Sequence, residues 1–71
     1  MADEKKAILE TLRFVYGALN EKGYNPISQL TGFLVTGDPT YITVHKNARS
    51  VLRNYEPDEY VEALLQSYFE K

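Results

Sequence analysis

The sequence predicts an all-α fold, a compact bundle of four to five short helices that associates as a homodimer. Apolar residues recur at spacings of three and four, and Asn-Pro, Asp-Pro and Gly turns divide the chain at short intervals. A length of 71 residues holds a single helical domain, 1–71, with a thin core. Because there is no cysteine and only one histidine, neither disulfides nor a bound metal can stabilise that core. The remaining way to stabilise so small a domain is association, which favours a dimer.

The first helix is predicted from about Asp3 to Lys22. Acidic residues at its start complement the helix dipole, and Gly23 accepts the left-handed backbone that ends a helix. Glycine is unfavourable inside a helix, so Gly17 is predicted to mark the close approach of another helix. The predicted apolar face consists of Ile8, Leu12, Val15, Tyr16 and Leu19.

The second helix is predicted to begin at Asn25, a favourable N-cap, with Pro26 at the first helical position. Gly37 ends the apolar pattern, and Asp38-Pro39 then repeats the capping pattern. The residues that follow are β-branched or aromatic, so this stretch is either one helical turn or an extended connector. The second helix is predicted to be short and largely buried, through Ile27, Leu30, Phe33 and Leu34.

A stripe of basic residues distinguishes the third helix, which is predicted from about Val44 to Tyr55. His45, Arg49 and Arg53 recur every four residues on one side of it. The apolar side consists of Val44, Ala48, Val51, Leu52 and Tyr55.

The last helix is predicted from Pro57 to about Phe69, because proline cannot lie inside a helix. Its exposed face is predicted to be acidic. Its inward face is predicted to consist of Val61, Leu64, Leu65 and Tyr68.

The charge distribution argues against a protein that coats nucleic acid, since the net charge is -2. The chain is nevertheless polarised, being basic from Pro39 to Tyr55 and acidic from Glu56 onward. The absence of cysteine and the polar N-terminus favour a cytoplasmic location. No apolar run approaches the roughly 20 residues that cross a bilayer, so membrane insertion is not expected.

No arrangement of residues indicates an enzyme. His45 is a candidate base, but no serine or cysteine motif accompanies it. The acids Asp58, Glu59 and Glu62 lie near a helix start, where they are dipole partners rather than metal ligands. The segment from Gly37 to Thr40 lacks the Gly-Lys-Ser/Thr ending of a phosphate loop. The sequence predicts no catalytic residues, no metal and no cofactor.

The candidate partner-binding residues are basic: His45, Lys46, Arg49 and Arg53. They either pair with acids of the last helix, such as Asp58, Glu59 or Glu62, or dock an acidic partner or a phosphate group. The sequence alone leaves both alternatives open. Six tyrosines in 71 residues favour a protein interface.

Two motifs carry a family resemblance: Gly23-Tyr24-Asn25-Pro26, and Gly37-Asp38-Pro39-Thr40-Tyr41-Ile42. His45-Lys46-Asn47-Ala48-Arg49 follows them, and Asp58-Glu59 opens the last helix. At these separations the motifs resemble the IreB-type regulatory phosphoproteins, over about Leu12 to Phe69.

The resemblance implies an all-helical homodimer without enzymatic activity, found in Gram-positive bacteria. It implies a substrate of the membrane PASTA-domain Ser/Thr kinase and its phosphatase. The family tunes cell-envelope stress responses and cephalosporin resistance through turnover of a peptidoglycan-precursor enzyme, so a protease adaptor or that enzyme is an expected partner. The basic helix is associated with regulatory activity, and His45, Arg49 and Arg53 match the family's basic positions.

The sequence departs from the family pattern in two places. The family carries its phospho-accepting threonine in a tail ahead of the first helix, whereas Thr11 is the first threonine here and lies inside that helix. The expectation is therefore a form without the phospho-acceptor tail. Arginine is also common in the family at the positions of Val44 and Pro57, so the basic surface is expected to carry fewer positive charges here.

Two alternatives remain. Helices two to four could form a DNA-binding helix-turn-helix with His45 to Arg53 as the recognition helix, although the net acidity ranks this second and makes a nucleic-acid partner unexpected. The other alternative is a dimer without a regulatory role.

Overall fold

The computed structural model describes residues 2–70, and four α-helices account for most of them. They are α1 (Ala2–Glu21), α2 (Pro26–Thr36), α3 (Ala48–Leu52) and α4 (Pro57–Phe69). Two short 3₁₀ turns, Pro39–Tyr41 and His45–Asn47, lie between α2 and α3, and no strand occurs in this range. The other three helices all pack against α1, the longest. The predicted all-α bundle is confirmed.

The core is one apolar cluster to which every α-helix contributes. Predicted inward residues of α1 such as Ile8 and Leu19 are buried, but Tyr16 is exposed. An added Cβ at Gly17 would meet nothing within 4 Å, so the predicted close approach there is wrong. The buried residues are Ile8, Leu12, Val15, Ala18, Leu19, Leu30, Phe33, Ile42, Ala48, Leu52, Tyr60 and Ala63.

Both predicted ends of α2 are confirmed. The side chain of Asn25 accepts a hydrogen bond from the Ser28 backbone N–H at 3.1 Å, and Pro26 occupies the first turn. Gly37 adopts the left-handed conformation at φ 76°, and its N–H donates to the Phe33 carbonyl at 2.7 Å. The prediction that α2 is largely buried fails at Ile27, which is 64% exposed.

The segment after α2 combines the two alternatives that the sequence left open. Asp38 caps a single 3₁₀ turn, Pro39–Tyr41, and the backbone is then extended at Ile42. The Tyr41 ring lies directly on Gly32, where any Cβ would overlap it. Gln29 Nε2 donates to the Tyr41 carbonyl oxygen at 2.8 Å. These contacts fasten the connector to α2 and bury Ile42 completely.

The continuous helix predicted from Val44 to Tyr55 is wrong. Only Ala48–Leu52 is α-helical, and Lys46 and Asn47 before it have left-handed backbones, with φ of 55° and 62°. Val44, predicted inward, is exposed. The physical reason is local: the Thr43 hydroxyl accepts from the His45 N–H at 3.2 Å, and asparagine tolerates the left-handed region better than most residues.

α4 begins at Pro57 as predicted, behind a capping box in which the Glu56 N–H donates to Glu59 Oε1 at 2.8 Å. Its predicted inward face is wrong, because the residues that enter the core are Tyr60 and Ala63. The predicted inward residues are all exposed, and we call them the α4 apolar face: Val61, Leu64, Leu65 and Tyr68.

Two chemical features of Tyr60 select the buried face of α4. Its side chain is 0% exposed, and its hydroxyl donates to the Leu52 carbonyl oxygen at 2.6 Å. Its ring meets the Tyr55 ring edge-on, with centroids 5.8 Å apart. A phenol that is both buried and hydrogen-bonded therefore holds α4 to α3.

Within residues 2–70 no helix is long and apolar enough to cross a membrane.

Candidate functional site

The four predicted partner-binding residues do not form one helical stripe. His45 and Lys46 lie in the 3₁₀ turn before α3, Arg49 lies in α3, and Arg53 follows its last residue. The structure places them along a bent segment, which we call the basic segment (residues 45–53). His45 and Lys46 share one partner, whereas Arg49 and Arg53 each have a different environment.

His45 and Lys46 both contact Glu21, the last residue of α1. Oε1 of Glu21 lies 2.9 Å from His45 Nε2, and Lys46 Nζ donates to Oε2 at 3.0 Å. The hydrogen bond from His45, followed by that from Lys46, holds the pKa of the Glu21 carboxyl below its ordinary value of 4.5. Intramolecular pairing of the basic residues therefore exists, but its acid is Glu21 on α1 rather than an acid of the last helix.

The backbone of this turn is anchored independently of Glu21. The Asn47 N–H donates to the Val44 carbonyl oxygen at 3.0 Å, and the Arg49 N–H donates to the Thr43 carbonyl oxygen at 3.1 Å. The consecutive left-handed residues Lys46 and Asn47 reverse the chain ahead of α3. Such conformations carry a cost of order 1–3 kcal/mol each, so they persist where surrounding contacts fix them.

Arg49 has a structural contact as well as a charge. Its Nε donates to the Ile42 carbonyl oxygen at 2.8 Å, and the residue is half-buried. This bond ties α3 to the extended connector. Arg49 is therefore less available to a partner than the sequence suggested, and its substitution would disturb the fold.

Arg53 is exposed, and its guanidinium makes no hydrogen bond or ion pair with any residue that the structure describes. It borders a cleft of about 250 Å³ between the end of α2, the first 3₁₀ turn and the start of α4. Its guanidinium is free to bind a carboxylate or phosphate from outside. The other residues lining the cleft are Phe33, Gly37, Pro39, Tyr55, Glu56 and Pro57.

The two sequence motifs form the frame on which the basic segment rests. Gly23, with φ of 81°, ends α1 shortly after Glu21, and the Tyr24 N–H donates back to the Leu19 carbonyl oxygen at 3.1 Å. Asn25 and Pro26 then start α2. The first motif thus fixes the position of Glu21.

The second motif, residues 37–42, contains the Asp38 cap. Hydrogen bonds from the Thr40 hydroxyl and backbone N–H hold the pKa of the Asp38 carboxyl below its ordinary value of 3.8. The carbonyl oxygen of Ile42, at the end of the motif, accepts the bond from Arg49. The end of this motif is therefore bonded directly to α3.

The chemistry that this site offers is binding of anionic groups. Lys46 and Arg53 present cations to solvent on a backbone fixed by hydrogen bonds. No group of three or more His, Asp or Glu side chains that could hold a metal ion occurs among residues 2–70. A helix-turn-helix would require a continuous recognition helix from His45 to Arg53, and the structure breaks that segment at Lys46 and Asn47.

A second surface, which the sequence did not predict, is apolar. A groove of about 490 Å³ runs between α1, α2 and α4 and includes Leu64 of the α4 apolar face. A second groove continues along α4 past Val61 and Leu65, and Leu34 lines both. The remaining residues of the first groove are Leu9, Leu12, Arg13, Tyr16, Ile27, Leu30, Thr31 and Ser67.

The sequence contains the apolar stripe that forms this surface, but the stripe was predicted to face the core. The α4 apolar face has helical spacing, and such spacing identifies an apolar stripe without saying what covers it. Here Tyr60 and Ala63 cover the core instead.

Comparison with known families shows that a family model described as IreB regulatory phosphoprotein matches residues 1–70.

Proposed function

Because the chain belongs to the IreB family of regulatory phosphoproteins, we propose that it is a non-enzymatic adaptor in the pathway of a PASTA-domain Ser/Thr kinase and its phosphatase. It links that pair to the cell-envelope stress response and cephalosporin resistance in Gram-positive bacteria. It does so through turnover of a peptidoglycan-precursor enzyme. The observation that carries the proposal is the basic segment, which presents Lys46 and Arg53 on a hydrogen-bonded backbone in an otherwise acidic chain.

The partner is an acidic surface of another protein, such as a protease adaptor or the precursor enzyme itself. The side chain of Lys46 is 51% exposed and Arg53 is also exposed, so an approaching carboxylate reaches them without opening the core. The guanidinium of Arg53 matches a carboxylate in bidentate geometry, and a charge-assisted bond is stronger than a neutral one. Complementary charge also speeds encounter with the partner.

The adaptor acts as a homodimer in which the apolar grooves of two copies face each other. The α4 apolar face exposes four large apolar side chains on one helix, and contiguous exposed apolar patches are typical of interfaces. Arg13 lies in one groove, and Asp58 and Glu62 lie in the other. Opposite charges at the two ends of one apolar face suit a two-fold interface, which pairs a surface with itself.

Complementation tests this function. The chain is expressed in a Gram-positive strain that lacks its own IreB-family gene, and cephalosporin resistance is measured. We expect resistance to return to the level of the parental strain, as it does when the resident gene is restored. Resistance that stays at the level of the deletion strain, while immunoblotting shows normal amounts of the protein, would contradict the proposal.

A further inference from the structure

The contact between Glu21 and the basic segment resembles a bound ligand. We propose that the Glu21 carboxylate occupies an anion-binding position formed by His45 and Lys46, and that an acidic side chain of the partner displaces it. This inference rests on the proposed function, because it concerns how the same segment is controlled. When no partner is bound, the Glu21 carboxylate of the same chain occupies this position.

The geometry gives each oxygen of Glu21 its own partner. Oε1 lies 2.9 Å from His45 Nε2, and Oε2 accepts from Lys46 Nζ at 3.0 Å. A single carboxylate thus bridges two side chains that come from one turn. A carboxylate of aspartate or glutamate in another protein has the same shape and charge, so it fits the same two donors.

The contact between Glu21 and the basic segment lies at the surface, where another anion can replace the Glu21 carboxylate. The side chains of Glu21 and Lys46 are 50% and 51% exposed, so water and a competing anion reach both. Exposed ion pairs contribute little to stability, because solvent screens them. Glu21 also lies at the C-terminal end of α1, where the helix dipole disfavours a negative charge. The contacts with His45 and Lys46, rather than the helix, hold it in position.

The position remains formed when Glu21 leaves it. The backbone of the turn is held by Thr43 and Val44, through the bonds to the His45 and Asn47 N–H groups. None of these bonds involves Glu21. Displacement therefore exposes two donors on an anchored backbone, which lowers the backbone-ordering cost of binding a partner.

Binding of a six-glutamate peptide to the full chain tests the inference, with affinities measured by NMR titration of the His45 and Lys46 side-chain signals. Glu21→Gln is expected to bind the peptide about two- to fivefold more tightly than the unsubstituted chain, because the internal competitor is weakened. The matched control is Glu10→Gln, which removes an exposed acid of the same helix that contacts neither His45 nor Lys46. Its affinity is expected to equal that of the unsubstituted chain. Glu21→Ala is a second variant, and unchanged circular dichroism verifies that each variant folds.

Equal affinities in the Glu21→Gln, Glu10→Gln and unsubstituted chains would overturn the displacement. Tighter binding of Glu21→Gln that leaves the His45 and Lys46 signals unmoved would also overturn it. Inorganic phosphate in a parallel titration distinguishes the source of the anion, and tighter binding of phosphate than of the peptide would overturn the assignment to an acidic side chain. If complementation succeeds while the affinities are equal, the displacement fails and the proposed function stands.

Discussion

Tyr60→Ala is expected to lower the free energy of unfolding by about 3–5 kcal/mol, the range for truncating a large buried aromatic residue. The side chain is 0% exposed, its hydroxyl joins α4 to α3 through the bond to Leu52, and its ring contacts Tyr55 edge-on in the connection between the two helices. Small domains have stabilities of only about 5–15 kcal/mol, so this loss removes much of the total. Urea denaturation followed by far-UV circular dichroism measures it.

Tyr60→Phe is the control that separates packing from hydrogen bonding. It retains the ring and removes the hydroxyl, so the expected loss is about 1–2 kcal/mol for the Leu52 carbonyl left without its donor. Burial raises the pKa of the Tyr60 hydroxyl well above its ordinary value of 10.0, so it remains a donor at neutral pH. A loss as large as that of Tyr60→Ala would contradict the role given to the ring.

Leu64→Glu combined with Leu65→Glu is expected to weaken self-association by on the order of 100-fold or more, since each leucine contributes about 1.5–3 kcal/mol on burial. The two side chains are 42% and 52% exposed in the isolated chain and line adjoining grooves. Two buried carboxylates would add a further cost. Sedimentation equilibrium is expected to give a dimer for the unsubstituted chain and the 8.2 kDa mass of one chain for the variant.

Val35→Glu combined with Val44→Glu is the matched control. It also replaces two exposed apolar residues with glutamate, but neither lines the two apolar grooves. This variant is expected to remain a dimer. Dissociation in both variants would show that charge, rather than the apolar grooves, governs the association, and an unsubstituted chain that sediments as a monomer would contradict the homodimer.

The ends of α1, α2 and α4 could be predicted because their signals are local. Asn25, Pro26, Gly37 and Pro57 act on backbone groups within a few residues of themselves, so the sequence contains both partners of each interaction. The buried face of α4 could not be predicted in the same way. Its choice depends on the bond between Tyr60 and the Leu52 carbonyl, which forms only after the chain folds.

The candidate site shows the same limit. The basic residues 45, 46, 49 and 53 were identified from the sequence, but their roles differ through contacts with distant residues. Glu21 contacts Lys46 across 25 positions of the chain, and no spacing rule connects the two. The left-handed backbone at Lys46 and Asn47 also overrode the helical spacing that had predicted a continuous basic stripe. Lys46 and Arg53 remain as the exposed cations through which binding is proposed.

Lys46→Glu combined with Arg53→Glu tests most directly whether the basic segment carries the regulatory activity. Arg49 is left unchanged because its bond to the Ile42 carbonyl supports the fold. The variant is introduced into the strain that lacks its IreB-family gene, beside Lys5→Glu combined with Lys6→Glu, which changes the net charge equally at the start of α1. We expect the Lys5 and Lys6 variant to restore the parental cephalosporin resistance. The Lys46 and Arg53 variant, at equal protein level and with unchanged circular dichroism, is expected to leave resistance at the level of the deletion strain, and full restoration by it would contradict the account.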